Sequence, residues 1–202
     1  MAVKDHALDG RIISAARAEF LEHGYQKASL HKIADRAGLT TGALYTRYKN
    51  KDDLFSSLVS GLMRTVGAQM APMRQGYEQA QKAGTPQAML EAISQEEHLY
   101  LNLLFDHYED CVLFFCRSGG SSIEKMVNDM MEMKSSQTVE FIRSMAKKPF
   151  EPAWISMLME GQFHFYRQVL ERGYTREKAF RCLEEMTVFM EAGWKAFFEK
   201  IL

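Results

Sequence analysis

Apolar residues recur at helical spacing along most of the chain, whereas alternating, strand-like segments are scarce. Ile12 or Ile13, Ala16 and Phe20 form the first apolar stripe. From Asp52 onward the chain is rich in Leu, Met, Glu, Lys, Gln and Ala, which are good helix formers. The pattern therefore predicts an all-α protein.

Turn and capping residues divide the rest of the chain into predicted helices. Thr85 and Pro86 suit the start of a helix, because Thr can cap it and Pro is tolerated in its first turn. We expect Pro72 to kink or end the helix that begins at Lys51. The later helices are predicted at about 86–117 with a break near 106–110, then 123–146, 153–171 and 176–201.

The segment 29–51 predicts two short helices joined by a tight turn. Ser29 is suited to cap the first helix, and Gly38 stands where the backbone must turn left-handed. Thr40 is suited to cap a second helix that runs to about Tyr48. This is a helix-turn-helix, whose second helix has the size and polarity to enter the major groove of DNA.

Positive charge is concentrated around this segment. The first 51 residues hold nine Lys or Arg against five Asp or Glu, a balance of +4, whereas the rest of the chain has a balance of −5. Asn50 and Asp53 resemble a capping box at the start of the next helix, next to Lys49 and Lys51. A helix N-terminus with two lysines favours phosphate binding.

Four segments together resemble the TetR/AcrR family of bacterial repressors, namely Arg11–Ala16, Phe20–Tyr25, Ser29–Ala37 and Gly42–Leu54. The resemblance implies a three-helix DNA-binding domain followed by an all-helical domain for ligand binding and dimerisation. We therefore predict a helix-turn-helix DNA-binding domain over residues 1–51 and a helical effector-binding and dimerisation domain over residues 52–202.

The second helix of a helix-turn-helix contacts base edges with its N-terminal part and phosphates with its flanks. Leu44 and Tyr48 are predicted to be core instead. Members of the family often carry Arg at the position of His31 and Lys at that of Thr41, so the chain departs from the family pattern there. The predicted DNA-contacting residues are Ser29, His31, Thr40, Thr41, Gly42, Ala43, Tyr45, Thr46, Arg47, Lys49 and Lys51.

The last two predicted helices are apolar over more than one face, which predicts burial against a partner as well as against the chain itself. The resemblance implies that these helices form a four-helix bundle in a homodimer. The predicted interface residues are Trp154, Leu158, Gly161, Phe165, Met190, Trp194 and Phe197.

The resemblance also implies an effector pocket among the central helices. Aromatic and Met side chains there would suit an apolar or amphipathic ligand, although the same residues could equally form plain core. The predicted pocket residues are Tyr100, Leu101, Phe105, Tyr108, Phe115, Met130, Phe163 and Tyr166.

Several functional classes receive no support from the sequence. No run of about 20 apolar residues predicts a membrane span, and Met1–Ala7 lacks the apolar region of a signal peptide. Three cysteines among apolar residues indicate reduced thiols in the cytoplasm. Glu160 and His164 are spaced four apart, yet no further ligands complete a zinc site.

The sequence therefore predicts a cytoplasmic, ligand-responsive transcriptional repressor without a cofactor or catalytic site. It would bind a palindromic DNA operator as a homodimer and release it when a small-molecule effector binds. The alternative is an all-helical ligand-binding adaptor that does not read DNA. A helical metalloenzyme built on Glu160 and His164 is a weaker rival.

Overall fold

The computed structural model describes the backbone of residues 6–202, with side chains from residue 8 onward except at 70 and 71. The sequence predicts no signal peptide over residues 1–7. Most of these residues lie outside the described part of the chain. The described chain is helical and contains no β-strand, as predicted. Its helices are α1 (His6–Lys27), α2 (Leu30–Arg36), α3 (Thr41–Tyr45), α4 (Lys51–Ala83), α5 (Pro86–Asp106), α6 (Tyr108–Cys111), α7 (Ser122–Met145), α8 (Ala153–Glu171) and α9 (Arg176–Ile201).

A π-helical turn, Val112–Cys116, follows α6 directly. The predicted long helix over 86–117 is therefore interrupted after Asp106, within the region where a break was predicted. None of the helices in the described residues is both long and apolar enough to cross a bilayer.

The described residues form two compact units. The first comprises the chain up to Arg64 together with Glu109–Val127, and the second comprises Thr65–Tyr108 and Asn128–Leu202. Helices α4 and α7 therefore contribute residues to both units. The predicted functional division after residue 51 stays a prediction.

The first unit is built around three aromatic rings. Phe20 and Phe55 are fully buried and meet edge to face, with ring centroids 4.9 Å apart. Tyr25 completes the cluster, 5.3 Å from Phe55 and 6.2 Å from Phe20. Gly24 makes this possible because its φ of 72° kinks α1 and returns Tyr25 towards Phe20.

Two polar contacts attach the segment around the π-helical turn to α1 within the first unit. The Tyr25 N–H donates to the Arg117 carbonyl at 2.8 Å. The Arg117 guanidinium in turn donates to the Leu21 carbonyl at 2.9 Å. These bonds satisfy backbone groups that the kink in α1 leaves without an intrahelical partner. The segment is therefore an integral part of the first unit.

The sequence predicts that Pro72 kinks or ends α4. Pro72 does not end the helix, which continues to Ala83. A proline inside a helix removes one hydrogen bond, at a cost of about 3 kcal/mol. The residues beyond it provide compensating contacts. Ala80 is buried, and the Tyr77 hydroxyl donates to the Glu96 carboxylate.

The core of the second unit lies among α5, α7, α8 and α9. Trp194 is central, with ring centroids 5.6 Å from Trp154 and 5.7 Å from Phe198. Threonine caps fix the starts of two of these helices. Thr85 Oγ1 accepts the Ala88 N–H at 3.3 Å, and Thr175 Oγ1 accepts the Lys178 N–H at 3.3 Å. The buried members of this core are Leu90, Val139, Ile142, Ile155, Met159, Trp194, Phe198 and Ile201.

Candidate functional site

The predicted helix-turn-helix is formed by α2 and α3. The Ser29 hydroxyl accepts the Lys32 N–H at 3.5 Å, and the Thr40 hydroxyl accepts the Ala43 N–H at 3.2 Å. Gly38 between the helices has a φ of 69°, where only glycine avoids a steric penalty. Both N-caps and the left-handed glycine agree with the sequence prediction.

Helix α3 is shorter than predicted, since it ends at Tyr45. The residues that follow form a turn, in which the Thr46 hydroxyl donates to the Ala43 carbonyl at 2.7 Å. This hydroxyl competes with the backbone for a helical carbonyl, which favours the end of a helix. Leu44 is buried, as predicted for a core residue.

The outer face of α3 carries most of the predicted groove residues. Tyr45 is 52% exposed, Gly42 and Thr46 are exposed, and Thr41 and Ala43 are half-buried. A Cβ added at Gly42 would contact only the Thr40 hydroxyl, at 3.8 Å. Among the described residues, therefore, none requires glycine at position 42.

Three of the predicted DNA-contacting residues make polar contacts with other residues of the chain. The Arg47 guanidinium donates to the Asp9 carboxylate at 3.0 Å, and the His31 ring lies 2.9 Å from the Asp35 carboxylate. The Lys51 ammonium donates to the carbonyls of Gln26 and Ala28 at 3.1 and 3.2 Å. It also lies 4.7 Å from the centre of the Tyr25 ring.

Lys51 therefore has a structural role that the sequence prediction missed. Its ammonium joins the start of α4 to the connection between α1 and α2, and this occupies two of its three N–H groups. Lys49 is exposed, and its side chain extends from the capping motif of α4. In that motif the Asp53 N–H donates to Asn50 Oδ1 at 2.8 Å, and the Lys49 N–H donates to Asp53 Oδ2 at 2.9 Å.

Substitution of the two lysines separates these roles. Lys51→Ala should lower the free energy of unfolding by about 1–2 kcal/mol, because the carbonyls of Gln26 and Ala28 lose a charged donor. Lys49→Ala should change stability by less than about 0.5 kcal/mol, since its side chain is exposed. Urea denaturation followed by circular dichroism measures both. Equal stabilities for the two variants would contradict the assignment.

The outer faces of α8 and α9 hold the largest exposed apolar side chains of the second unit. On α8 these are Trp154 and Met157, the latter 69% exposed. On α9, Val188 is exposed and Phe189 is 78% exposed. Ala192, Gly193 and Ala196 continue the same face of α9, at offsets of about one and two turns from Val188 and Phe189, and are also exposed.

The predicted interface residues coincide only in part with the exposed residues of α8 and α9. Trp194 is only 4% exposed and belongs to the core of its own unit, which corrects its placement at an interface. The α9 stripe that contains it is turned inward, so Val188 and Phe189 face outward. Trp154 and Gly161 are exposed, while Leu158, Phe165, Met190 and Phe197 are half-buried.

The structure places the eight predicted pocket residues in several different surroundings, and their role as a pocket lining stays a prediction. Tyr100 and Tyr166 meet with ring centroids 6.1 Å apart, and Phe105 stacks on Tyr108 at 6.2 Å. Leu101 is fully buried core. Phe115 belongs to the first unit, where it packs on Phe114, and Met130 and Phe163 are half-buried.

A buried polar cluster in the second unit was missed by sequence reasoning. The Glu96 carboxylate accepts the Tyr77 hydroxyl and pairs with the Lys134 ammonium. The adjacent Glu97 carboxylate accepts the Gln162 amide at 2.8 Å and the Thr187 hydroxyl at 3.3 Å. Two consecutive acids that precede an apolar run were the available signal.

Burial changes the acid–base behaviour of this cluster. Loss of hydration raises the pKa of Glu97, and the negative charge of Glu96 adds to the effect. Burial also raises the pKa values of Tyr100 and Tyr166, which lie near the same carboxylates. The two tyrosines therefore stay protonated and neutral.

Glu97 also lies at a cleft within the second unit. The cleft is partly open to solvent and narrow, with a cavity volume of only about 10 Å³, which is room for about one water molecule. Leu90, Ile93, Met190 and Trp194 form apolar walls, whereas Gln162 and Thr187 accompany Glu97 at the polar end. None of the eight predicted pocket residues lines this cleft.

Metal-ligating side chains are dispersed in the described residues, where no three His, Cys, Asp or Glu side chains gather at a potential metal site. Glu160 and His164 are both exposed on α8. Cys111, Cys116 and Cys182 are not joined in disulfide bonds, and burial raises the pKa of Cys111 to about 12. An uncharged thiol is a poor nucleophile and a poor metal ligand.

Residues 12–58 match the family model described as bacterial regulatory proteins, tetR family. Over 47 residues the chain is 43% identical to the probable acrEF/envCD operon repressor of Escherichia coli K12. This aligned segment covers 23% of this chain and 21% of that protein. It is 24% identical over 153 residues to the HTH-type transcriptional regulator YhgD of Bacillus subtilis, covering 73% of this chain and 76% of the relative.

The solved structures add the fold. A TetR-like transcriptional regulator from Rhodococcus sp. RHA1 superposes with a TM-score of 0.60 at 18% identity, covering 95% of this chain and 99% of that one. The strong sequence similarity is thus confined to the helix-turn-helix end, which is about a fifth of the length of the Escherichia coli relative. The similarity of the remainder is one of fold.

Proposed function

We propose that this chain, whose residues 12–58 match the tetR family of bacterial regulatory proteins, is a ligand-responsive transcriptional repressor. It binds a palindromic DNA operator as a homodimer and leaves it when a small-molecule effector binds. It acts in the cytoplasm and has no catalytic role.

The observation that carries this proposal is the exposed, capped N-terminal part of α3. Thr40 caps the helix with its hydroxyl, and Gly42 presents bare backbone to solvent next to the exposed ring of Tyr45. A helix start of this kind can approach base edges in the major groove, where side chains and backbone N–H groups make specific contacts.

The exposed apolar faces of α8 and α9 support a homodimer. An exposed Phe189 next to Val188 on α9, together with an exposed Met157 on α8, is costly for a monomer in water and becomes favourable when a second copy covers it. A short recognition helix reads few base pairs, so two copies on half-sites about 34–36 Å apart would provide the missing specificity. Two-fold symmetry in the protein then matches a palindrome in the operator.

The second unit is proposed to hold the effector. A ligand releases DNA only if it prefers the non-binding state of the dimer, by about 5.5 kcal/mol for a nearly complete switch. The buried polar cluster offers directional contacts of the kind that such a preference requires.

Two single variants test how DNA would be contacted. Lys49→Ala should weaken binding to all duplexes and lower the salt slope of log Kd by about one, because one phosphate contact is lost. Thr41→Ala should instead change the preference among duplex sequences, because the N-terminal part of a recognition helix is the part that contacts base edges. Fluorescence anisotropy at two salt concentrations measures both. Identical, sequence-independent losses would refute this division of roles.

Gly42→Ala tests the close approach of α3 to DNA. The added methyl group meets no obstacle within the chain, so stability should stay the same or rise by about 0.5–1 kcal/mol. Operator affinity should nevertheless fall at least about tenfold, which corresponds to about 1.4 kcal/mol. Thermal unfolding and anisotropy are measured on the same preparation. Unchanged affinity would show that α3 does not approach DNA at Gly42.

A further inference from the structure

The Arg47 side chain is held by a carboxylate from another helix of the first unit. Its Nε donates to Asp9 Oδ1 at 3.0 Å, and the two residues are 38 positions apart in the sequence. The two side chains are 28% and 29% exposed, so most of the surface of this ion pair is covered. The Arg47 N–H also donates to the Leu44 carbonyl, in the turn that follows α3. Contacts within the chain therefore fix both the position and the direction of the guanidinium.

The first turns of α1 lie against both ends of α3. Asp9 contacts Arg47 just beyond the C-terminal end of α3, and Arg11 lies beside Gly38 just before its N-terminal end. A Cβ placed on Gly38 would be 3.5 Å from Arg11 Nη1. All four residues belong to the first unit. The start of α1 thus sets the direction of Arg47 relative to the helix that is proposed to enter the major groove.

The atom that makes this bond determines what the guanidinium can still bind. A guanidinium carries five N–H donors in a rigid planar fork. The bond to Asp9 uses the single N–H of Nε and does not use the four N–H groups on the two Nη atoms. Those terminal groups match the paired oxygens of a phosphate. Because residues that flank a recognition helix contact the DNA backbone, a phosphate is the acceptor that Arg47 is placed to meet.

An acid at this position has two opposite effects on DNA binding. The negative charge of Asp9 repels the phosphates of every duplex, whatever the sequence. Its bond to Arg47 removes side-chain freedom that would otherwise be lost on binding, but only a phosphate in the matching position benefits from this. That position is defined when α3 is seated in the groove of its operator. On an unrelated duplex the repulsion remains and the benefit is absent.

We propose that Asp9 is a positioning residue that determines the specificity of DNA binding. It holds the Arg47 guanidinium for one backbone phosphate of the operator, and it prevents Arg47 from pairing freely with the phosphates of unrelated DNA. Asp9 itself makes no contact with DNA. This inference rests on the proposed function, because it requires that α3 reads a duplex. The sequence predicts the contact by Arg47 but not the acid that directs it.

Asp9→Ala removes the carboxylate and leaves Arg47 intact. Fluorescence anisotropy is measured with the duplex that the wild-type protein selects and with a scrambled duplex of the same length and composition. The ratio of the two dissociation constants, scrambled over selected, should fall at least about threefold, near the lower end of the coupling between directly bonded residues. The salt slope for the scrambled duplex should steepen by about one, because a released Arg47 can neutralise one more phosphate.

Glu22→Ala is the matched control for the loss of a negative charge. Glu22 is an exposed acid of the same helix, and it pairs with His23 and Arg36, neither of which is a predicted DNA-contacting residue. Its removal should change the affinities for the two duplexes by the same factor and leave their ratio as in the wild-type protein. An equal fall of the ratio in Asp9→Ala and Glu22→Ala would overturn the proposal, because any acid of α1 would then have the same effect.

A double-mutant cycle tests whether Asp9 acts through Arg47. In an Arg47→Gln background, Asp9→Ala should leave the ratio unchanged. Arg47→Lys keeps the test decisive if Asp9→Ala fails to fold, because it retains the charge but lacks the planar fork and should lower the ratio in the same way. An undiminished ratio in Asp9→Ala or Arg47→Lys would overturn the proposal. So would a fall caused by Asp9→Ala that persists in the Arg47→Gln background.

The same measurements separate this inference from the proposed function. A wild-type protein that selects no duplex would refute the operator-binding function and the role of Asp9 with it. A wild-type protein that selects a duplex, with an Asp9→Ala variant that keeps the full ratio, would refute the role of Asp9 alone.

Discussion

Phe189→Glu should convert the proposed homodimer to a monomer and abolish tight binding to the proposed operator. Phe189 is 78% exposed on α9, and burial of a phenylalanine stabilises a contact by about 2 kcal/mol. Because each residue of a two-fold interface occurs twice, the loss doubles to about 4 kcal/mol, roughly a thousandfold in the dissociation constant of the dimer. Sedimentation velocity measures the dimer, and anisotropy measures DNA binding.

Met133→Glu is the matched control for this variant. Met133 is 54% exposed on α7, so the substitution places the same charge on a comparably exposed apolar residue away from α8 and α9. It should remain dimeric and bind the operator. A Phe189→Glu protein that sediments as a dimer would show that the exposed face of α9 is not the interface.

Phe55→Ala should destabilise the first unit more than any other variant considered. Phe55 is fully buried and contacts the rings of Phe20 and Tyr25 at 4.9 and 5.3 Å. Truncation of a buried phenylalanine costs about 3–5 kcal/mol, and for a chain of this size this corresponds to roughly 10 °C in Tm. Because the same rings position α1 and the start of α4, DNA binding should be lost as well.

Phe55→Leu provides the control, since it keeps most of the side-chain volume and should cost less than about 1.5 kcal/mol. Thermal unfolding of the two variants and the wild-type protein measures the difference. If Phe55→Ala unfolded at the wild-type temperature, the aromatic cluster would not be what stabilises the first unit.

Local chemistry made the helix-turn-helix predictable from the sequence. Ser29 and Thr40 each cap a helix through a hydroxyl three residues before the N–H that it accepts, and Gly38 allows the left-handed turn. Each of these features depends on neighbours within a few residues. The pattern of residue types therefore carries the information directly.

Features that depend on distant neighbours could not be predicted in the same way. Helix α9 is apolar over more than one face, and only its packing on α5 and α8 shows that Trp194 faces inward while Phe189 faces outward. Lys51 looked like a phosphate ligand because its carbonyl partners, Gln26 and Ala28, lie more than twenty residues away. Helix α4 continues past Pro72 although proline is a helix breaker.

The same limit applies to the effector region. Aromatic and Met residues suggested an apolar pocket, but their periodicity cannot distinguish a lining from a core. The narrow cleft in the second unit joins Glu97 of α5 to Gln162 of α8 and Thr187 of α9. A contact among three helices so far apart in sequence leaves no local pattern, and only the paired acids 96–97 in an apolar stretch indicated a special environment.

Selection of binding sites from a random duplex library, repeated at two salt concentrations, tests the central claim most directly. A dimeric operator-binding repressor should enrich a palindrome whose half-sites lie about one helical turn apart, about 34–36 Å, and bind it with a steep salt dependence. Weak binding with no enriched sequence at either salt concentration would contradict the claim and favour an all-helical adaptor that does not read DNA.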